Sequence, residues 1–280
     1  MYLVTGATGN VGSEVVEQLL ATGQSVRVFT RDAAKLAHWA NRVEVAVGDL
    51  TSPETFARAV ADVEGVFLMN GPLDGGIFRQ LIAAAKAQGN PRVVFLSTLF
   101  ADLPGLAIGQ LHKDKEDVIR ASGLPGRFIR AGGFMTNAYQ WLESIKADGA
   151  VYNATGAGKF APVAAEDIAA VAVYALTHAD VSSEIFDVTG GELLTVEDQV
   201  RILAEVAKKP IRYVDVSTET AVEGLIRFGT PAPVAAAVGK SFEAIRDGQV
   251  AIVSDTVQQI TGRAPQTFRS WAESHASRFA

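Results

Sequence analysis

Thr5-Gly6-Ala7-Thr8-Gly9-Asn10-Val11-Gly12 is the stretch on which the fold turns. It comes after the apolar run Tyr2-Leu3-Val4 and leads into an amphipathic segment, Val11 to Ala21, so it occupies a strand-to-helix turn. Its glycines are spaced G-x-x-G-x-x-G. At such a turn glycine permits a tight reversal, lets bare backbone approach an anion, and packs the helix close to the strand. The helix start adds unpaired N–H groups and the positive end of the dipole, a setting for a pyrophosphate. Gly6, Thr8, Gly9, Asn10, Val11 and Gly12 are therefore the candidate phosphate-binding residues. A plain Gly-rich turn is the bland alternative, and the rhythm of the next hundred or so residues argues against it.

Outward from the loop, short β-branched runs alternate with amphipathic stretches up to about residue 130, the rhythm of parallel strands joined by crossover helices. Strands are expected at Tyr2 to Thr5, Val26 to Thr30, Val43 to Val47, Val66 to Met69, Val93 to Ser97 and Arg127 to Arg130. Helices are expected near Val11 to Ala21, Pro53 to Ala61, Gly76 to Gln88 and Gly109 to Ala121, with Gly23, Gly65, Gly89 and Gly123 as left-handed stops. Past residue 135 the rhythm loosens, leaving helices near Ala165 to Leu176, Val196 to Ala207 and Thr218 to Phe228 and a strand at Ile185 to Val188. The expected fold is α/β: a Rossmann-type doubly wound parallel sheet with a smaller C-terminal lobe and a cleft between them. Residues 1–133, completed by a strand near 184–190, form the dinucleotide-binding domain; 134–280 form most of the substrate-side lobe.

The end of the second strand reports on the cofactor. Dinucleotide folds that take NAD place an acidic residue there, about 20 residues past the loop. Here Thr30-Arg31 occupy it, with Lys35 one helical turn on. A guanidinium and an ammonium suit a 2′-phosphate, so NADPH/NADP+ is favoured over NAD(H). Asp32 complicates this, as it can pair with Arg31 or reach the ribose itself. Asp49 and Leu50 come after the third strand on the adenine side, with Asp49 as an acceptor for the adenine amino group or as a cap for the next helix. Met69, Asn70 and Gly71 end the fourth strand beside the ribose and phosphates, or simply turn the chain. Ser97 and Thr98 end the fifth, as amide or substrate contacts or as strand-end caps.

The 280 residues suffice for one large or two intimate domains and a sizeable core. Lys+Arg 25 against Asp+Glu 31 gives a net charge of -6, which argues against a nucleic-acid partner. Zero cysteines exclude disulfides, thiolate metal sites and thiol catalysis, and the four histidines His38, His112, His178 and His275 are not spaced as ligands, so no metal site is expected. The most apolar window, Ala169 to Ala179, is about half the ~20 residues of a membrane span. The glycine loop at Thr5 leaves no room for a preceding signal peptide, and a cytoplasmic protein without a membrane partner is expected. Oligomeric state is not legible.

The chain resembles the atypical short-chain dehydrogenase/reductases, and within them the NmrA-like branch that includes triphenylmethane and quinone reductases. The resemblance rests on Thr5 to Gly12; on Arg31 with Lys35; on His112-x-x-x-Glu116, Ser122-Gly123-Leu124-Pro125 and Arg130-Ala131-Gly132-Gly133-Phe134-Met135-Thr136-Asn137; and on Thr261-Gly262-Arg263-Ala264-Pro265. It implies a position for His112 near the reactive end of the cofactor, to orient a substrate or supply a proton. The alternative is a solvated helix histidine paired with Glu116. Lys115 stands where relatives often carry Thr, and its role stays open. Phe134, Met135 and Asn137, just after the sixth strand, are candidates for an apolar floor under the nicotinamide, with core packing the default for the first two.

Most short-chain reductases use a Tyr-x-x-x-Lys pair as acid and base. The five tyrosines here, Tyr2, Tyr139, Tyr152, Tyr174 and Tyr213, have Gly6, Glu143, Gly156, His178 and Ser217 four residues on. Alcohol oxidation, epimerisation and dehydration, which need that pair, are disfavoured. Reduction of a small-molecule, planar conjugated acceptor such as a quinone or dye needs little protein acid and fits the residues. The rival is a non-catalytic NADP(H) redox sensor acting through a protein partner.

Overall fold

The computed structural model describes residues 1–70 and 74–279. In chain order the elements are β1 (Tyr2–Thr5), α1 (Asn10–Ala21), β2 (Val26–Thr30), β3 (Glu44–Val47), α2 (Pro53–Ala59), β4 (Gly65–Leu68), α3 (Gly75–Ala87), β5 (Arg92–Thr98), α4 (Ala107–Ser122) and β6 (Gly126–Ala131). Then come α5 (Leu142–Asp148), β7 (Ala150–Asn153), α6 (Ala165–Thr177), β8 (Ile185–Val188), α7 (Val196–Ala207), β9 (Arg212–Asp215) and α8 (Thr218–Arg227). Helices α9 (Ala232–Arg246), α10 (Thr256–Thr261), α11 (Phe268–Ser274) and α12 (Ala276–Phe279) close the chain.

Seven strands make one sheet in the order β3-β2-β1-β4-β5-β6-β8. The pairings from β3 to β6 are parallel. Backbone bonds from Phe128 N–H to Glu184 O and from Gly132 N–H to Val188 O advance four residues on both chains, so β8 also runs parallel to β6. Parallel strands need crossovers, and these helices cover both faces of the sheet. On one face Phe56 of α2, Phe78 and Leu81 of α3 and Ile119 of α4 pack on Leu3, Phe29, Val66, Val93, Phe95 and Phe128. The alternate residues Val4, Val28, Phe67 and Val94 are equally buried, on the side where α1 and α6 contact the strands. This is the doubly wound α/β fold that the alternating sequence rhythm implies.

The chain divides into two compact units: residues 1–102, 110–131 and 165–187, and residues 103–109, 132–164 and 188–280. Helix α6, which sequence alone groups with the second lobe, clusters with the first because it docks on α1 and the sheet. Gln18 Nε2 donates to Glu166 O at 3.0 Å, and Arg92 Nη1 donates to Leu176 O. Gly65 is not a left-handed stop. It opens β4, where an added Cβ would stand 3.2 Å from Leu176 Cδ2, while Asp62 (φ 60°) makes the positive-φ turn after α2. Gly23, Gly89 and Gly123 do have positive φ. The second unit contains β7 and β9, a parallel pair too short to announce itself in sequence, and a core of Met135, Val151, Val200, Leu203, Phe268 and Trp271.

Candidate active site

The strand order reverses between β1 and β4, and open α/β sheets bind ligands outside the carboxyl ends of strands at such a reversal. The glycine loop leaves β1 there, and Met69 and Asn70 leave β4 beside it. Thr5 ties the two together: its hydroxyl donates to Phe67 O at 3.1 Å and accepts from Met69 N–H at 3.0 Å. Gly6 has φ +66°, and a Cβ on it would lie 2.3 Å from Met69 Sδ. A Cβ on Gly12 would lie 2.2 Å from Gly6 O, so helix and loop touch only because it is absent. Gly9 differs. Its backbone is ordinary (φ -95°, ψ 171°), and among the described residues an added Cβ would meet only Gly6 O, at 3.3 Å. It is the N-cap of α1 without a side-chain cap, and Thr8, Gly9 and Asn10 are exposed, so the first-turn N–H groups stand available to an anion. Val11 and Gly12 are buried under the loop. This cradle fits a pyrophosphate.

At the end of β2 the Arg31 side chain is 82% exposed and lies 3.9 Å from Asp49 Oδ2, with Lys35 also exposed. Asp32 does not pair with Arg31. It caps the next 3-10 turn, Oδ1 accepting from Ala34 N–H at 3.0 Å. Asp49 Oδ1 accepts from the Thr51 N–H and hydroxyl, each at 2.8 Å, and these bonds hold its carboxyl below the usual range. Asp49 is therefore not the cap of the next helix, whose N-cap is Ser52: it closes a turn onto Thr51 while its other oxygen faces Arg31. Leu50 is partly buried against the core.

Helix α4 and strands β5 and β6 build a buried polar network. Glu116, fully buried, accepts from the Ser97 hydroxyl at 2.6 Å, from Arg130 Nε at 3.0 Å and Nη2 at 2.7 Å, and from Arg120 Nη2 at 3.3 Å. Arg130 also donates to both oxygens of Asp102. Burial disfavours the Arg130 charge, but its bonds to Glu116 and Asp102 outweigh that and raise its pKa. The sequence alternative of a Glu116–His112 pair is thereby corrected: the oxygens of Glu116 are taken by Ser97 and two arginines. Ser97 is 4% exposed and donates inward, and Thr98 Oγ1 accepts from Phe100 N–H at 3.3 Å. His112 is half-buried, its ring 6.1 Å from that of Phe95.

Lys115, three residues past His112, is 2% exposed and donates to Asn70 Oδ1 at 2.6 Å. Burial pushes its ammonium down to about 8. Unfolded lysine stays protonated to about 10.5, so folding releases a proton between those values. Its contribution to stability therefore rises with pH from about 8 upward. Urea melts at pH 7.5 and 9.5 will show this increment in the parent protein and not in Lys115→Met; equal increments would refute it.

Met69 borders the exposed surface, while Gly71 lies outside the described residues. In the second unit Phe134 precedes the 3-10 turn Met135–Trp141, Met135 is 1% exposed within the core, and Asn137 is exposed. Sequence reasoning missed the Arg130–Asp102 and Lys115–Asn70 contacts. The one available signal was Arg130 itself, a charge in an otherwise apolar strand that must find a partner when buried.

Residues 6–179 match the NAD(P)H-binding family. The chain is 34% identical over 284 residues to an NAD(P)H azoreductase of Xenophilus azovorans, covering 100% of this chain and 99% of that protein. It is 35% identical over 282 residues to the (4-alkanoyl-5-oxo-2,5-dihydrofuran-3-yl)methyl phosphate reductase of Streptomyces griseus, with 100% and 99% covered. Among solved structures, an NADPH-dependent quinone oxidoreductase from Escherichia coli, complexed with NADPH, superposes with TM-score 0.86 at 25% identity, covering 98% of this chain and 99% of that one. With a phosphate cradle at the sheet's switch point and similarity along its whole length to reductases, the chain belongs to the NAD(P)H-binding family and is an oxidoreductase.

Proposed function

We propose that the protein is an NADPH-dependent reductase of planar, conjugated, electron-poor acceptors such as quinones or azo dyes. The observation that carries this reading is the side-chain set of α4, which offers His112, Lys113, Lys115 and Glu116 and no tyrosine. In the same unit, Tyr2 opens β1 at the end of the strand opposite the loop, and Tyr174 lies far along α6, stacked on His178. A carbonyl-to-alcohol reduction needs a positioned acid. A conjugated acceptor yields a weakly basic anion that water protonates. Relatives are named as an azoreductase, a quinone oxidoreductase and a reductase of a 5-oxo-2,5-dihydrofuran, and each of those groups is conjugated.

In this reading Gly6, Thr8, Gly9, Asn10, Val11 and Gly12 hold the pyrophosphate; Arg31 and Lys35 hold the 2′-phosphate; Asp49 and Leu50 border the adenine. Met69, Asn70 and Thr98 line the path toward the nicotinamide, while Ser97, buried and bound to Glu116, serves the network inside. When bound, the reduced nicotinamide supplies a hydride. The protein supplies proximity, with Phe134 and Asn137 assigned to the acceptor side and His112 to orienting the acceptor, while Met135 packs in the core of the second unit. We assign the enzyme to the cytoplasm; no helix among the described residues is long and apolar enough to cross a membrane.

NADPH oxidation measured against a panel of quinones and azo dyes will show turnover with several acceptors. Silence with all of them, alongside tight NADP(H) binding, would move the assignment to a redox sensor. Arg31→Ala will weaken NADPH binding by about 1.5–3 kcal/mol, the range for hydrogen bonds to charged groups, and leave NADH almost unchanged. Equal losses in titrations of both cofactors would refute the 2′-phosphate assignment. His112→Ala will raise KM with little change in kcat, because an acceptor reduced to a stable anion gives an acid little barrier to remove. A pH-dependent fall in kcat of about 100-fold would make His112 a proton donor instead.

A further inference from the structure

Lys115 sits where an ammonium is costly. It is 2% exposed, and the cation–π contact of its Nζ with the Phe78 ring, 5.2 Å to the centroid, offsets only part of the desolvation. Removing such a charge from water disfavours folding unless hydrogen bonds compensate, and an apolar side chain of similar length would fill the same space. A lysine held there serves something besides the core.

Its bond to Asn70 indicates what. An ammonium has three donors and no acceptor, so at 2.6 Å only the carboxamide oxygen can face it. The Asn70 orientation, otherwise ambiguous between oxygen and nitrogen, is thereby fixed, and the Nδ2 group is turned away with two N–H donors. Among the described residues none accepts from that Nδ2. Asn70 comes directly after Met69, whose N–H binds Thr5 and whose sulfur occupies the space a Gly6 side chain would need. The donors therefore stand one residue from a neighbour of the glycine loop.

We propose that Lys115 is a positioning residue: it locks the Asn70 carboxamide so that its NH2 group donates to an oxygen of the cofactor, on the second phosphate or the nicotinamide ribose. The inference rests on the cofactor site proposed above. It also gives Lys115 a role that does not require proton transfer, since the lysine acts through Asn70.

The test is a set of titrations with three ligands. Adenosine 2′,5′-bisphosphate lacks both candidate oxygens, adenosine 2′-phosphate 5′-diphosphate carries the second phosphate, and NADPH carries both. Lys115→Met will weaken NADPH roughly tenfold, the effect of one lost hydrogen bond, and leave the 2′,5′-bisphosphate unchanged. If the diphosphate weakens with NADPH, the acceptor is the phosphate; if only NADPH weakens, it is the ribose. The melting temperature of Lys115→Met will equal or exceed that of the parent, because a buried charge has been removed. Asn70→Asp, which keeps an acceptor for Lys115 and loses the donor, will weaken NADPH similarly. Lys115→Met combined with Asn70→Ala will lose no more affinity than either change alone.

Equal weakening of all three ligands, additive losses in the double variant, or a lower melting temperature with unchanged NADPH affinity would each overturn the assignment. If the parent protein bound the 2′,5′-bisphosphate and not NADPH, the positioning role would fall and the phosphate site would stand. Binding of neither would overturn both.

Discussion

Gly9→Val leaves a folded protein that binds neither NADPH nor NADH. Two observations set this expectation. The Gly9 backbone lies in the extended region that a β-branched residue adopts readily, and among the described residues the one close neighbour of an added Cβ is Gly6 O at 3.3 Å. The loop can absorb that with a shift of a few tenths of an ångström and a weaker N-cap, together about 1 kcal/mol. A pyrophosphate cannot be absorbed in the same way, because its oxygens must reach the first-turn N–H groups through the space the two methyls would fill. Gly12 offers the contrast: a Cβ there would lie 2.2 Å from Gly6 O, so Gly12→Ala damages the loop itself and says little about ligands. Calorimetric titration and thermal melting of Gly9→Val separate the two effects. Retained cofactor affinity would show that the phosphates lie elsewhere.

Glu116→Leu should reduce stability by about 3–5 kcal/mol, the usual result of stripping one partner from a buried ion pair. Arg130, with 6% of its side chain exposed, would keep its bonds to Asp102 and lose those that its Nε and Nη2 donate to Glu116. Asp102 is 63% exposed at the side chain, a solvated partner that cannot replace a buried one. Adding Arg130→Met to Glu116→Leu should recover part of the loss, since no unpaired charge then remains inside. Urea unfolding of the single and double variants measures both. A single-variant loss below about 1 kcal/mol would mean that the network contributes little to stability. Ser97→Ala, which removes one neutral donor and leaves both charges paired, should cost less than Glu116→Leu.

Consecutive residues suffice to read the sheet, the succession of its first six strands along the chain, and the phosphate loop. These are local properties. A period of two or of 3.6 is written in neighbouring residues, and a glycine needed for a turn is needed wherever that turn sits in the fold. The placement of Arg31 just past the end of β2 is legible for the same reason, a fixed distance past the loop. Gly65 shows where locality misleads: its place before a strand reads as a helix stop, yet it opens β4, where Leu176 Cδ2 at 3.2 Å and Arg92 O at 3.3 Å, both distant in sequence, would crowd a side chain. Which charges meet is settled by packing. Asn70 reaches Lys115 across 45 residues, and Asp102 reaches Arg130 across 28. Packing likewise gives Glu116 to Ser97 and Arg130 instead of His112, because β5 and β6 bring those groups against the buried face of α4. Side-chain partners inside a core depend on which helix covers which strand, and the chain between them carries no record of that choice.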